Sequence, residues 1–351
     1  MNVWMQLREA LAPTAFVALL GILLAVGARG QTGDTYSKGM AAYQAGDYSH
    51  AAEWLLAADE DAPGRTNALL VAAKAYIQLS SFANAEKVLR QYLQEVPDSA
   101  ESYYLLGFVL HRENKPKESL ETYTKAAALE RPTSDDLKIV ALDYVLLHDN
   151  ADALHWLQRA VEMDPKNKDA WYYLGRTYYT ETRLPDARRA YEKVLEIDPN
   201  DARAVNNVGL IYESEAKPDE ALAAYRKAIS LQEGKPQQSE QPYLNLGNLL
   251  ITMEKPEEAI APLEKATSLV PTNAIGHLRL GTAYLRLGRM KEAQAELELA
   301  VRFDPEDASA HYQLARYYKQ AHQLDAAKKE FDRVAELQSH AMEKQKVSVQ
   351  P

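Results

Sequence analysis

At 351 residues the chain is longer than a single hydrophobic core usually serves, so it divides into domains or grows as an array. Its formal charge of −10 argues against general binding to nucleic acid or anionic membranes, which needs an excess of Lys and Arg. The absence of cysteine excludes disulfides, thiolate metal sites, a cysteine nucleophile and a lipid anchor attached through cysteine.

In chain order, residues 1–30 stand apart. After Arg8 and Glu9 the chain is uncharged from Leu11 to Ala28, and Pro13 and Thr14 shorten its apolar heart to Ala15–Val26. That is the length of a signal-peptide apolar region, and Val26-Gly27-Ala28 offers short residues at a cleavage point. We read residues 1–30 as a cleaved signal peptide, with a retained N-terminal membrane anchor as the alternative. Both readings put the rest of the chain outside the cytoplasm. From residue 31 to 341 Ala, Leu, Glu, Lys, Tyr and Arg dominate, which predicts helices throughout. The tail, 342–351, is expected to fray.

The helical region repeats. Units start near residues 32, 66, 100, 134, 168, 202, 240, 274 and 308. Position 8 is always small: Gly39, Ala73, Gly107, Ala141, Gly175, Gly209, Gly247, Gly281 and Ala315. Position 20 is alanine in every unit except Ser119. Proline stands at position 32 in Pro63, Pro97, Pro165, Pro199, Pro271 and Pro305. Positions 4, 7, 8 and 11 share one helical face, and 20, 24 and 27 share another. The pattern predicts two helices per unit. The small residues at 8 and 20 are expected to bring the paired backbones together, with Trp171, Tyr178 and Tyr191 packed around them. Proline ends the second helix. One interruption, within residues 232–242, inserts four residues near 233–239. It is expected to form a longer turn, a hinge between two sub-arrays being the other reading. The first unit carries Thr35, Lys38 and Ala42 at packing positions and is expected to act as an end cap.

The segment WYYLGRTYY…DARRAYEKVLEIDP resembles the tetratricopeptide repeat, a 34-residue helix–turn–helix. Trp171, Leu174, Gly175, Tyr178, Ala187, Tyr191 and Pro199 fill the pattern W-x2-L-G-x2-Y, A-x3-F/Y, P. The resemblance implies an all-α, right-handed superhelical solenoid of about nine units, whose first helices line a concave groove.

No nucleophile elbow, phosphate loop, zinc-protease helix or calcium loop is present, so no catalytic residue, cofactor or metal is expected. His277 and His311 sit at position 4, where a packing residue belongs; the turn HDNAD separates His148 from His155. What remains is a surface. In units five to nine the first-helix positions 2, 5, 6, 9, 12 and 13 carry Arg176, Arg203, Arg279, Arg286, Arg316 and Lys319 against Asp169 and Glu213. The same positions carry Asn206, Asn207, Asn245 and Asn248, with Tyr172, Tyr179 and Tyr312. Amides both donate and accept, so a row of them suits an extended backbone. Arginine forks suit carboxylates. Asn207 and Asn245, at position 6 of successive units, resemble the asparagine rows of peptide-binding members of the family, although the lysines of the carboxylate-clamp members are missing. The candidate groove is Tyr172, Arg176, Asn207, Asn245, Asn248, Arg279, Tyr312 and Arg316. The expected partner is a protein or peptide, acidic or offering a C-terminal carboxylate, bound by a non-catalytic scaffold. The alternative is a glycan- or cell-wall-binding accessory module of an enzyme system, its tyrosines stacking on sugars.

Overall fold

A computed structural model describes residues 32–57 and 64–348. The proposed signal segment, Pro63 and the last three residues lie outside these. The described residues form eighteen helices in nine consecutive pairs, without strands. They are α1 (Thr32–Ala45), α2 (Tyr48–Leu56), α3 (Arg65–Gln78), α4 (Phe82–Glu95), α5 (Ala100–Arg112), α6 (Pro116–Leu129), α7 (Ser134–Leu146), α8 (Asn150–Met163) and α9 (Lys168–Thr180). They continue as α10 (Leu184–Ile197), α11 (Ala202–Ser214), α12 (Pro218–Gln232), α13 (Gln241–Thr252), α14 (Pro256–Leu269), α15 (Ala274–Arg286), α16 (Met290–Phe303), α17 (Ala308–Gln320) and α18 (Leu324–Ser348). The last helix runs to Ser348, past the expected end at 341.

Local chemistry sets the boundaries. Position 34 caps the first helix of the next unit. Ser99, Thr133, Asn167, Asp201, Asn273 and Asp307 each accept a backbone N–H of the first turn. Four second helices carry proline at their first or second residue, where its missing N–H is no loss. The turn between paired helices is left-handed at position 15 in all nine units. Only Gly46 and Gly288 are glycine; Ser80, Asn114, His148, Thr182, Ala216, Glu254 and His322 adopt φ between 56° and 61°.

The chain divides after Pro132 into two compact units of three and six helix pairs. The division falls there and not at the 233–239 insertion, which forms a turn between packed α12 and α13. Within each unit, paired helices pack on one another and each second helix packs on the next first helix, as a solenoid requires.

The packing around position 8 corrects one expectation. Position 20 is buried in every pair, and Ser119 Oγ donates to the Gly107 carbonyl at 2.9 Å, so the two small positions do meet. What a Cβ at position 8 would strike, however, is the side chain at position 24. A Cβ on Gly107, Gly175 or Gly209 would lie 2.5–2.9 Å from the ring of Tyr123, Tyr191 or Tyr225. The glycine makes room for the side chain at position 24, a tyrosine in these three pairs and a leucine beside Gly39, Gly247 and Gly281, rather than for the alanine at position 20.

His277 and His311 do more than pack. Both are buried, and each Nε2 donates to a proline carbonyl six residues earlier, Pro271 at 2.9 Å and Pro305 at 3.1 Å. Trp171 Nε1 does the same to Pro165 at 3.0 Å. Each imidazole Nδ1 also lies 2.6 Å from a glutamate of the paired helix, Glu296 or Glu330. Position 4 therefore seats a first helix on the end of the preceding unit.

Candidate functional site

The first helices α9 and α11, with the start of α13, border a cavity of about 530 Å³. Its lining has two sources. The helices give Tyr172, Arg176, Tyr179, Thr180, Arg203, Asn206, Asn207 and Leu210, with Tyr191 behind them on α10. The insertion and its flanks give Gln232, Ser239, Gln241 and Pro242.

An amide relay runs into this cavity. Asn245 Nδ2 donates to Asn206 Oδ1 at 2.9 Å, and Asn206 Nδ2 to Asn207 Oδ1 at 3.3 Å. Asn207 Nδ2 then donates to the hydroxyls of Tyr191 (3.0 Å) and Tyr172 (3.2 Å). Each hydroxyl oxygen accepts, which leaves its own proton to donate elsewhere. Burial and the neighbouring Tyr172 push the Tyr191 hydroxyl up against the pull of the Asn207 bond, so it stays a donor at ordinary pH. Tyr172 also packs edge-on against Tyr191, with centroids 5.8 Å apart.

Charge pairing revises the expected basic surface. Arg203 Nη2 reaches Asp169 at 3.2 Å and Asp201 at 3.0 Å, and its guanidinium lies 4.6 Å from the Tyr172 ring centroid. Burial opposes ionisation of Asp201, yet the Arg203 contacts hold its carboxyl below the ordinary range. Arg286 donates to the Ile251 carbonyl at 2.7 Å, and Arg316 to Gln313 Oε1 at 3.1 Å. A count over first-helix positions leaves out Asp201, a cap residue, and so overstates the free charge. Of the six cations, Arg176, Arg279 and Lys319 have neither an ion pair nor a side-chain hydrogen bond among the described residues. Only Arg176 of these three lines the cavity.

The candidate residues are thus only partly brought together. Tyr172, Arg176 and Asn207 line one cavity, and Asn245 joins them through the relay. Asn248 is half-buried on α13, outside the lining. Arg279, Arg316 and Tyr312 belong to the last two helix pairs, away from the lining; Tyr312 is 47% exposed, edge-on to Phe331 at 6.0 Å. The candidate set holds Asn207 and Asn245 but not Asn206, the buried link between them, whose position 5 points inward rather than outward. It also lacks the insertion's contribution, for which irregular length is the only signal in the sequence. Among the described residues no group of three or more His, Asp or Glu side chains could hold a metal, and no helix is long and apolar enough to cross a membrane.

Residues 70–135, 141–202 and 176–238 match a tetratricopeptide repeat model, 250–311 match a second and 308–340 a third. Protein O-mannosyl-transferase TMTC3 of Homo sapiens is 32% identical over 94 residues, 26% of this chain and 10% of that protein. Interferon-induced protein with tetratricopeptide repeats 2 of Cricetulus griseus is 32% identical over 108 residues, 30% of this chain and 22% of that protein. The chain thus spans less than a quarter of either relative. A tetratricopeptide repeat protein from Parabacteroides merdae superposes with a TM-score of 0.58 at 19% identity, over 72% of this chain and 98% of its own. At that identity the likeness concerns the fold alone.

Proposed function

Because the chain belongs to the tetratricopeptide repeat family, whose fold serves as a protein-interaction scaffold, we propose that it binds an extended acidic segment of a partner protein across α9, α11 and α13 and performs no chemistry itself. The observation that carries this reading is Arg176, an exposed guanidinium without an ion-pair partner, in a cavity it shares with the hydroxyls of Tyr172 and Tyr191. A carboxylate of the ligand supplies the acceptor these donors lack. Asn207, held by the relay, keeps both hydroxyls in place. A free C-terminal carboxylate would meet the same donors as an acidic side chain.

The glycan alternative is less well supported. Sugar stacking needs an open ring face, and Arg203 lies over the Tyr172 ring. The N-terminal segment supports an exported protein, released if cleaved and membrane-anchored if retained.

The test is an array of immobilised acidic decapeptides, each with a free and an amidated C-terminus. Charge-assisted hydrogen bonds contribute about 1.5–3 kcal/mol each, so Arg176→Ala should weaken binding by roughly tenfold to a hundredfold. Arg279→Ala, outside the cavity, should change it by less than about threefold. Binding should also weaken with salt, since the site is open to solvent. Unchanged affinity in a fully helical Arg176→Ala variant would refute the assignment.

A further inference from the structure

The turn between repeats six and seven is unlike the others. Successive repeats start 34 residues apart everywhere else, whereas repeat seven starts 38 residues after repeat six, at 240 after 202. The extra length is pinned. Gln232, the last residue of α12, is only 5% exposed, and its amide closes the turn from both sides. Nε2 donates to the Ser239 carbonyl at 2.8 Å, and Oε1 accepts from the Ser239 N–H at 3.0 Å. Ser239 Oγ then accepts from the Gln241 N–H at 3.2 Å, which carries the latch into α13. Inside the loop Lys235 N–H donates to the Gln232 carbonyl at 3.1 Å, and Gly234 takes φ +71°, where other residues are strained.

Gln232, Ser239, Gln241 and Pro242 line the same cavity as Arg176. We propose that this latched turn is the specificity-determining element of the cavity, with Gln232 as its positioning residue. It selects the residue that flanks the acidic group of a bound segment. The inference rests on the acidic-segment reading above. The turn contributes amides, a hydroxyl and a proline ring to the cavity but no charge. A flanking Asn, Gln, Ser or Thr finds hydrogen-bond partners there. A flanking Lys or Arg would lose water without gaining a counter-ion, and a flanking Leu would leave the polar groups unpaired.

The experiment is a peptide array in which the residue next to a single Asp or Glu is varied. It is read with the wild type, with Gln232→Leu, and with a deletion of Lys235–Gln238 that restores the 34-residue spacing. The wild type should prefer amide and hydroxyl neighbours by about tenfold, the worth of one or two hydrogen bonds. Both variants should keep the helical circular dichroism while losing that preference, and the deletion, which removes no residue of the lining, should also keep the overall affinity for acidic peptides. A folded variant that keeps the wild-type preference overturns the inference and leaves the Arg176 reading standing. No binding of acidic peptides by the wild type removes the Arg176 reading and this inference together. Should Gln232→Leu fail to fold, the deletion variant decides.

Discussion

Gly209→Ala is the sharpest test of the packing. In a solvent-facing helix this change stabilises by about 1 kcal/mol, because glycine has more backbone freedom to lose. Here the new Cβ would stand 2.5 Å from Cε1 and 2.8 Å from Cδ1 of Tyr225, where carbon atoms prefer about 3.5–4 Å. The ring would have to move by about 1 Å. Tyr225 is fully buried, and its hydroxyl donates to Glu213 Oε2 at 2.8 Å, so a shift strains that bond too. Overpacking costs about 1–3 kcal/mol, or more where nothing yields, which cancels or exceeds the propensity gain. The expected outcome is a variant less stable by up to about 2 kcal/mol. In an array the loss should be local, so amide hydrogen exchange should quicken in α11 and α12 more than in α16–α18. The chain itself suggests the control. Alanine at position 8 faces leucine at position 24 in the pairs Ala73–Leu89 and Ala141–Leu157, phenylalanine in Ala315–Phe331, and never a tyrosine. Adding Tyr225→Leu to Gly209→Ala should therefore recover about 1 kcal/mol relative to the sum of the single changes. A Gly209→Ala variant that is more stable than wild type by the full helix-propensity gain would refute the account.

Ala216→Gly, at φ +57°, should stabilise by about 0.5–1 kcal/mol by removing left-handed strain, read as slower exchange in α11 and α12; a loss of protection would count against it. Burial opposes ionisation of Glu86, but bonds from Lys115 and Arg90 outweigh it and hold the carboxyl at about 2, so its contribution is present above the ordinary carboxylate range and lost as pH falls toward 2. Glu86→Gln should accordingly be less stable than wild type near neutrality and converge with it in acid; parallel stability curves down to pH 2 would contradict this. Export predicts a mature N-terminus near Arg29 or Gln31, and N-terminal sequencing that finds an intact Met1 on a soluble cytoplasmic protein would reject it.

The 34-residue register was legible because small residues and prolines recur at fixed positions, and these describe backbone contacts every unit must make. The partner of the small residue was less legible. A glycine beside an alanine 12 positions later looks like a contact between two small groups, whereas the Cα–Cβ direction points at position 24. The left-handed turn at position 15 was hidden because alanine, threonine and glutamate occupy it as well as glycine, the helix pair imposing a conformation those residues would not choose. Charge was misjudged for a similar reason. Arg203 and Asp169 are 34 residues apart, the same position in successive repeats, so the period that revealed the fold also brings them together. The division after Pro132 left no mark in composition, while the insertion, expected as a longer turn, is pinned by Gln232, a residue whose role depends wholly on where its amide points.

The bond between position 4 and the preceding proline carbonyl has a mechanical consequence. Pulled along its length, the array must break such a bond before repeat five, eight or nine parts from its neighbour, because Trp171, His277 and His311 each hold one. Repeat six has Val205 at that position and cannot make it. Its first helix is tied back to repeat five by Arg203 and Asp169 instead, and the Arg203 side chain is 46% exposed. Salt screens that tie far more than it weakens a ring N–H donating to a carbonyl. The compliance of the array would therefore be uneven, and the joint beside Arg176, where this ion pair replaces the ring-to-carbonyl bond, would soften as ionic strength rises.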